Sequence, residues 1–191
     1  MTFRLDVDLT SIPLYVYKSV ELFRLAMEET VRETLGQGLH GWQVTDCTVT
    51  LTQCGYDSPS STAGDYRKLT PLVLMAALQQ AGTVVCEPIH RFRLEAPADA
   101  LGAVVPVLAR LGAAPLGQEV RGTASILEGE IAAAQVHAFQ QRVPGLTGGE
   151  GMLECVFDRY RPVSGAAPAR PRTDSNPLNR KEYLLHIVRR V

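Results

Sequence analysis

From Glu87 to Val163 the apolar residues switch repeatedly between a two-residue and a helical period, and the order of those switches restricts the fold more than any other feature of the chain. His90, Phe92 and Leu94 face one way and Arg91, Arg93 and Glu95 the other, which predicts a strand from His90 to Ala96. After Pro97, Leu101, Val104, Val105 and Leu108 recur at helical spacing. Two strands flank Gly122, the second holding Ile126, Leu127 and Ile131. A helix from Ala134 to Val143 and a strand with Leu153, Cys155 and Phe157 on one face complete the series. The order β-α-β-β-α-β is that of the ferredoxin-like split β-α-β pattern.

The residues before this series predict a smaller unit. Phe3, Leu5, Val7 and Leu9 alternate with Arg4, Asp6 and Asp8, as in a half-buried strand. Beyond Pro13, Val20, Phe23, Met27, Val31 and Leu35 line one face of a helix over about 17–35. Val44 to Gln53 predicts the next strand, with Cys47, Val49 and Leu51 on one face and Asp46, Thr48, Thr50 and Thr52 on the other. Gly55 to Gly64 has the turn chemistry of a loop. A second helix runs from about Asp65 to Gln80 and stops at Gly82, with Pro71 expected to kink or restart it. Leu72 to Leu78 is apolar all round, so two sides of that helix should be covered. Residues 164–175 read as extended, and Asn176-Pro177 as the N-cap and first position of a short terminal helix with Leu184, Ile187, Val188 and Val191 along one stripe. The fold class is α+β.

The formal net charge of −1 hides an asymmetry. From Ser164 onward six basic residues (Arg170, Arg172, Arg180, Lys181, Arg189, Arg190) face Asp174 and Glu182, so the tail is +4 and the remainder −5. A basic tail on an acidic body suits local phosphate contact rather than wholesale electrostatic capture; the plainer alternative is a solvated tail. No apolar stretch approaches the roughly 20 residues of a membrane helix, and the N-terminus lacks a signal-peptide layout, so a cytoplasmic protein with no membrane partner is expected. Cys47, Cys54, Cys86 and Cys155 show no zinc or disulfide spacing and read as packed thiols, and no metal site is expected.

The runs Gly41-Trp42-Gln43-Val44-Thr45-Asp46-Cys47 and Gly55-Tyr56-Asp57-Ser58-Pro59-Ser60-Ser61-Thr62-Ala63-Gly64-Asp65-Tyr66-Arg67 carry a resemblance. They resemble the fourth domain of the tetracycline-resistance ribosomal protection proteins, GTPases built like elongation factor G. The likeness continues through Lys68-Leu69-Thr70-Pro71-Leu72 and, more weakly, Leu127-Glu128-Gly129-Glu130-Ile131 and Leu146-Thr147-Gly148-Gly149. It implies an incomplete S5-like fourth domain over 1–86, a ferredoxin-like fifth domain over 87–163, and a C-terminal extension over 164–191. The closing Arg170-Pro171-Arg172 and terminal helix point to the protection proteins rather than ordinary elongation factors.

The family's decoding-site loop falls here on Tyr56 to Asp65, with Ser58, Pro59, Ser60, Ser61 and Thr62 at its tip. The resemblance implies the ribosome as partner, contacted at small-subunit rRNA near the A site, where the loop would release tetracycline. Hydroxyls suit ribose and phosphate, and a proline limits the entropy lost on insertion. Arg67 and Lys68 behind the tip, and Arg170, Arg172, Arg180 and Lys181 in the tail, are further candidates for RNA contact. Apart from the family, Ser-Pro-Ser-Ser-Thr is simply a polar turn feeding an N-cap.

The chain has no G-x-x-x-x-G-K-[ST] phosphate loop. GTP and Mg²⁺ are therefore expected in N-terminal GTPase domains of a longer parent, which would also be partners, and this chain is expected to hold no cofactor and not to be an enzyme. Met1 falls inside the fourth domain of the resemblance, so a fragment or a truncated gene product is expected. Ser11 to Tyr17 departs from the family, and Glu150 stands where elongation factors carry an arginine. Two alternatives stay open: an elongation factor G paralogue acting in translocation, and a ferredoxin-like interaction module. A Cys–His nucleophilic enzyme finds no support, since no Cys is set beside a His with an orienting acid.

Overall fold

Two short parallel strands, β1 (Thr2–Leu5) and β2 (Thr48–Leu51), pair from Thr2 opposite Thr48 to Leu5 opposite Leu51 in a computed structural model that describes residues 1–188. Between them run α1 (Leu14–Tyr17) and the crossover helix α2 (Val20–Thr34). The predicted stripe of α2 is its buried face: Phe23, Met27, Val31 and, just past its end, Leu35 pack with Phe3, Leu5, Val49 and Leu51. Arg24, Glu28 and Arg32 form an ion-pair ladder on the opposite side.

Local backbone corrects the predicted boundaries. The first strand stops at Leu5 rather than Leu9, because the chain turns at Asp8, whose carboxylate accepts from the Thr10 amide at 2.9 Å. The helix over 17–35 is divided at Lys18, which has φ 64°, and restarts with Ser19 Oγ accepting from the Leu22 amide. The second strand begins only at Thr48, since Asp46 sits at φ 50°, outside the range a ladder accepts.

Helix α3 (Ala63–Ala81) runs through Pro71 unbroken, with the Thr70 hydroxyl donating to the Tyr66 carbonyl at 2.6 Å in the turn before the proline. Leu74 and Met75 are buried, whereas Leu69 is exposed and Val73 is 68% exposed, so the apolar run keeps one open side.

The second unit, Cys86–Ala166, is an antiparallel sheet in the order β4-β5-β3-β6, built from β3 (Cys86–Pro97), β4 (Ala114–Arg121), β5 (Ala124–Ala132) and β6 (Met152–Pro162). Helices α4 (Leu101–Arg110) and α5 (Ala133–Leu146) cover one face. This is the ferredoxin-like order that the sequence pattern predicts. Its core joins Phe92 and Leu94 of β3 to Leu127 and Ile131 of β5 and to Val104, Leu108, Phe139 and Val143 of the helices. The opposite face carries ion pairs such as Arg159–Glu130 at 2.7 Å. Val105 departs from the expected stripe and is exposed, as is Phe157, near a register shift of the β3–β6 ladder.

The segment from Ala167 returns to the first unit and ends in α6 (Arg180–Val188). The expected start at Asn176-Pro177 is three residues early. Asn176 Oδ1 accepts from the Leu178 amide in a local turn, and Asn179 is the cap, accepting from the Glu182 amide at 3.3 Å and donating to its carboxylate at 2.9 Å. Val191 of the expected stripe, the tail cations Arg189 and Arg190, and the side chain of Val188 lie outside the described residues.

Gly129 tests the core of the second unit. A Cβ there would stand 2.6 Å from the Ala114 carbonyl and 2.7 Å from the Phe92 ring. Phe92→Ala is expected to lower the stability of this unit by about 3–5 kcal/mol, through lost transfer energy and a residual cavity. Gly129→Val is expected to destabilise it at least as strongly, by forcing Phe92 out of place. Urea unfolding of both variants, followed by far-UV circular dichroism, measures this.

Candidate functional site

The loop from β2 to α3 narrows to a neck and then projects. At the neck the Ser61 amide donates to the Asp57 carbonyl at 2.8 Å, and the Asp57 amide donates to Ser61 Oγ at 2.9 Å. Ser58, Pro59 and Ser60 form an exposed turn beyond it, with a cis peptide between Ser58 and Pro59. Tyr56 stands beside the neck, its ring 5.5 Å from that of Tyr15.

The loop is tied down at both ends. At the α3 end the Asp65 carboxylate accepts from the Thr62 amide at 2.7 Å and from the Thr62 hydroxyl at 2.9 Å, within a capping box. These bonds hold the Asp65 carboxyl below its usual range, with the Lys68 charge adding to the effect. At the β2 end the Tyr66 hydroxyl donates to the Gly55 carbonyl at 2.8 Å. Burial pushes the Tyr66 phenol up, so it remains a donor at any physiological pH. The tip hydroxyls are therefore presented on a short stiff turn.

The candidate cations divide. Arg67 and Lys68 are exposed on α3, and Arg67 lines a polar cleft of about 330 Å³ with Tyr17, Thr30, Glu29 and Glu33. Arg180 and Lys181 are exposed on the first turn of α6.

Arg170 and Arg172 both bond back to the turn after α2. Arg170 Nε donates to the Gly41 carbonyl at 2.7 Å and its guanidinium lies 4.9 Å over the Trp42 ring. Arg172, its side chain 9% exposed, donates to the Gln37 and Gly38 carbonyls and pairs with Asp174 at 2.8 Å. Carbonyls of the turn after α2 belong to no ladder, and these two arginines satisfy them. Trp42 Nε1 completes the strap by donating to the Pro168 carbonyl at 2.8 Å. Gly41 has φ 76°, and a Cβ there would run into the Arg170 carbonyl.

Two residues that sequence reasoning did not single out prove central. Tyr15 reaches the loop neck, with its hydroxyl 2.9 Å from the Ser61 carbonyl. Tyr183 is the buried anchor of α6, donating at 3.0 Å to the Lys68 carbonyl in the turn before Pro71. The spacing Asn179 to Glu182 would have located the α6 cap; nothing local marks Tyr15. No cluster of three metal-ligating side chains occurs among the described residues, and burial pushes the Cys54 and Cys155 thiols up, the wrong direction for a nucleophile. No described helix is long and apolar enough to cross a membrane.

Known proteins share both units. Residues 20–82 match the family described as elongation factor G, domain IV, and residues 84–171 the family described as elongation factor G C-terminus. The chain is 51% identical over 193 residues to an oxytetracycline resistance protein of Streptomyces rimosus, covering 100% of this chain and 28% of that protein. It is 51% identical over 141 residues to the tetracycline resistance protein TetM of Streptomyces lividans, covering 74% of this chain and 22% of the relative. A crystal structure of a Thermus thermophilus protein superposes with a TM-score of 0.73 at 26% identity, over 85% of this chain and 24% of that one. The chain thus spans about a quarter of the length of these relatives.

Two outcomes follow from the site geometry. A carboxyl held below its unfolded value stabilises the fold fully above about pH 4, and that contribution disappears as pH falls through the folded value. The stability gap between the unaltered chain and Asp65→Ala should therefore be constant at neutral pH and close in acid, as read by urea titrations at several pH values. Gly41→Val should release the strap while leaving the second unit intact. Limited trypsin proteolysis should then cut the tail after Arg172, which precedes Thr173, many times faster than in the unaltered chain.

Proposed function

Because this chain belongs to the elongation factor G-like family that includes the tetracycline resistance proteins, of which it carries domain IV and the C-terminal domain, we propose that it is the ribosome-binding part of a ribosomal protection factor. In this reading Ser58 to Thr62 enter the decoding site of the small subunit and dislodge tetracycline in the cytoplasm. The observation that carries it is the exposed Ser58-Pro59-Ser60 turn on a neck bonded at both ends. A loop ordered before binding loses little entropy on insertion, and its hydroxyls and carbonyls match ribose and phosphate rather than depending on charge. Of the cations, Lys68, Arg180 and Lys181 remain available for rRNA phosphate.

This segment would act by binding. With no phosphate loop in the sequence, GTP and Mg²⁺ have no place here, and hydrolysis would belong to other domains of a longer protein. Those domains would be its partners within one chain.

The test joins this chain to the GTPase half of a tetracycline resistance protein and follows polypeptide synthesis on tetracycline-inhibited ribosomes. Rescue is expected. Replacing Ser58, Pro59 and Ser60 by glycines, which spares the Ser61 neck and the Thr62 cap, should reduce rescue at least tenfold without lowering the melting temperature of the chain. Full rescue by the glycine version would overturn the loop assignment. A chimera that binds ribosomes and accelerates translocation without rescue would favour an elongation factor paralogue.

A further inference from the structure

The segment from Ser11 to Tyr17 departs most from the family pattern, yet it delivers a side chain to the loop neck. Tyr15 lies on the four-residue helix α1, and its hydroxyl is 2.9 Å from the Ser61 carbonyl and 3.3 Å from the Asp57 carbonyl. These are the two residues whose mutual bonds define the neck. The contact closes 46 residues of sequence, so it is not a by-product of local turn geometry.

The support under Tyr15 is firm. Ile12 and Pro13, just before α1, are fully buried, and Tyr17 packs edge-on against Phe23 at 5.1 Å and Tyr66 at 5.7 Å. One side of α1 thus belongs to the core, and Tyr15, 47% exposed, is held on the other. Its ring lies at 54° to that of Tyr56, so the aromatic contact and the hydroxyl bonds fix one orientation of the neck. Tyr66 does the same from α3 by donating to Gly55. Two tyrosine hydroxyls from different elements therefore clamp opposite ends of a loop whose three tip residues project freely.

We propose that Tyr15 is a positioning residue for the ribosome-facing loop: its hydroxyl orders the Asp57–Ser61 neck before binding and thereby sets the affinity of the Ser58-Pro59-Ser60 tip for the small ribosomal subunit. The inference rests on the functional reading above. Tyr15 itself need not touch RNA, since its bonds are directed to backbone carbonyls of its own chain.

The experiment uses the full 191-residue chain, Tyr15→Phe, the glycine-tip variant, and both together. Tyr15→Phe keeps the ring on Tyr56 and removes only the hydroxyl. Binding to vacant small ribosomal subunits is measured by sedimentation, and Ser61 amide exchange by NMR in the free chain. Tyr15→Phe should lower the melting temperature by no more than a few degrees, speed Ser61 exchange severalfold, and weaken subunit binding about five- to tenfold, the scale of one net hydrogen bond. In the glycine-tip background the same substitution should have no further effect, because the tip it positions no longer binds.

Unchanged exchange in Tyr15→Phe would overturn the clamp. Faster exchange with undiminished binding, or an undiminished effect in the glycine-tip background, would overturn the positioning role and leave the functional reading standing. Undiminished binding of the glycine-tip variant would overturn the functional reading and the ribosomal part of this inference with it, while Ser61 exchange would still decide the clamp.

Discussion

The side chain of Tyr66 belongs to the core and to the loop at once, and the first unit is organised around that double role. Its ring packs edge-on against Phe23, 5.7 Å away, and against Tyr17, while its hydroxyl donates to Gly55 at the start of the loop. The aromatic cluster is where α1, α2 and α3 meet, so the packing that stabilises the unit also sets where the loop leaves it. The edge-on packing of the ring aims the hydroxyl at the Gly55 carbonyl. A loop fixed this way inherits the rigidity of the core.

The tail supplies a second constraint. The guanidinium groups of Arg170 and Arg172 satisfy carbonyls of the turn after α2, and Trp42 returns a bond to the tail. Planar multi-donor guanidinium groups suit such a strap, because one side chain can serve two carbonyls and an acid together. Tyr183 then ties α6 to α3 at Lys68, close to the proline that perturbs the α3 ladder. The tail is therefore a structural member of the first unit, with Arg180 and Lys181 exposed on the first turn of α6.

Much of this was legible in the sequence. Alternation and helical spacing over Glu87 to Val163 determined the order of elements, because one face of each must be apolar to form the core of Phe92, Leu94, Leu127, Val104 and Phe139. The α2 stripe was equally plain, and the turn chemistry of Gly55 to Gly64 marked the loop that emerges from the structure. Element ends were less legible, since the bend at Asp8 and the positive φ of Lys18 and Asp46 leave no mark in a hydrophobic pattern.

By itself, then, the sequence determined the α+β class, the ferredoxin-like order, the place of the exposed loop and the family likeness, all of which follow from local periodicity or from residue identity along the chain. Only the tertiary structure decided that Arg170 and Arg172 bond back to the turn after α2, that Tyr183 anchors the tail, and that the Tyr15 hydroxyl reaches the neck. Each of these depends on pairing groups far apart in sequence, 129 residues for Arg170 with Gly41 and 115 for Tyr183 with Lys68. A hydrogen bond is specific to geometry that local pattern does not encode, so an arginine that binds backbone and one that awaits phosphate look alike until the chain is folded.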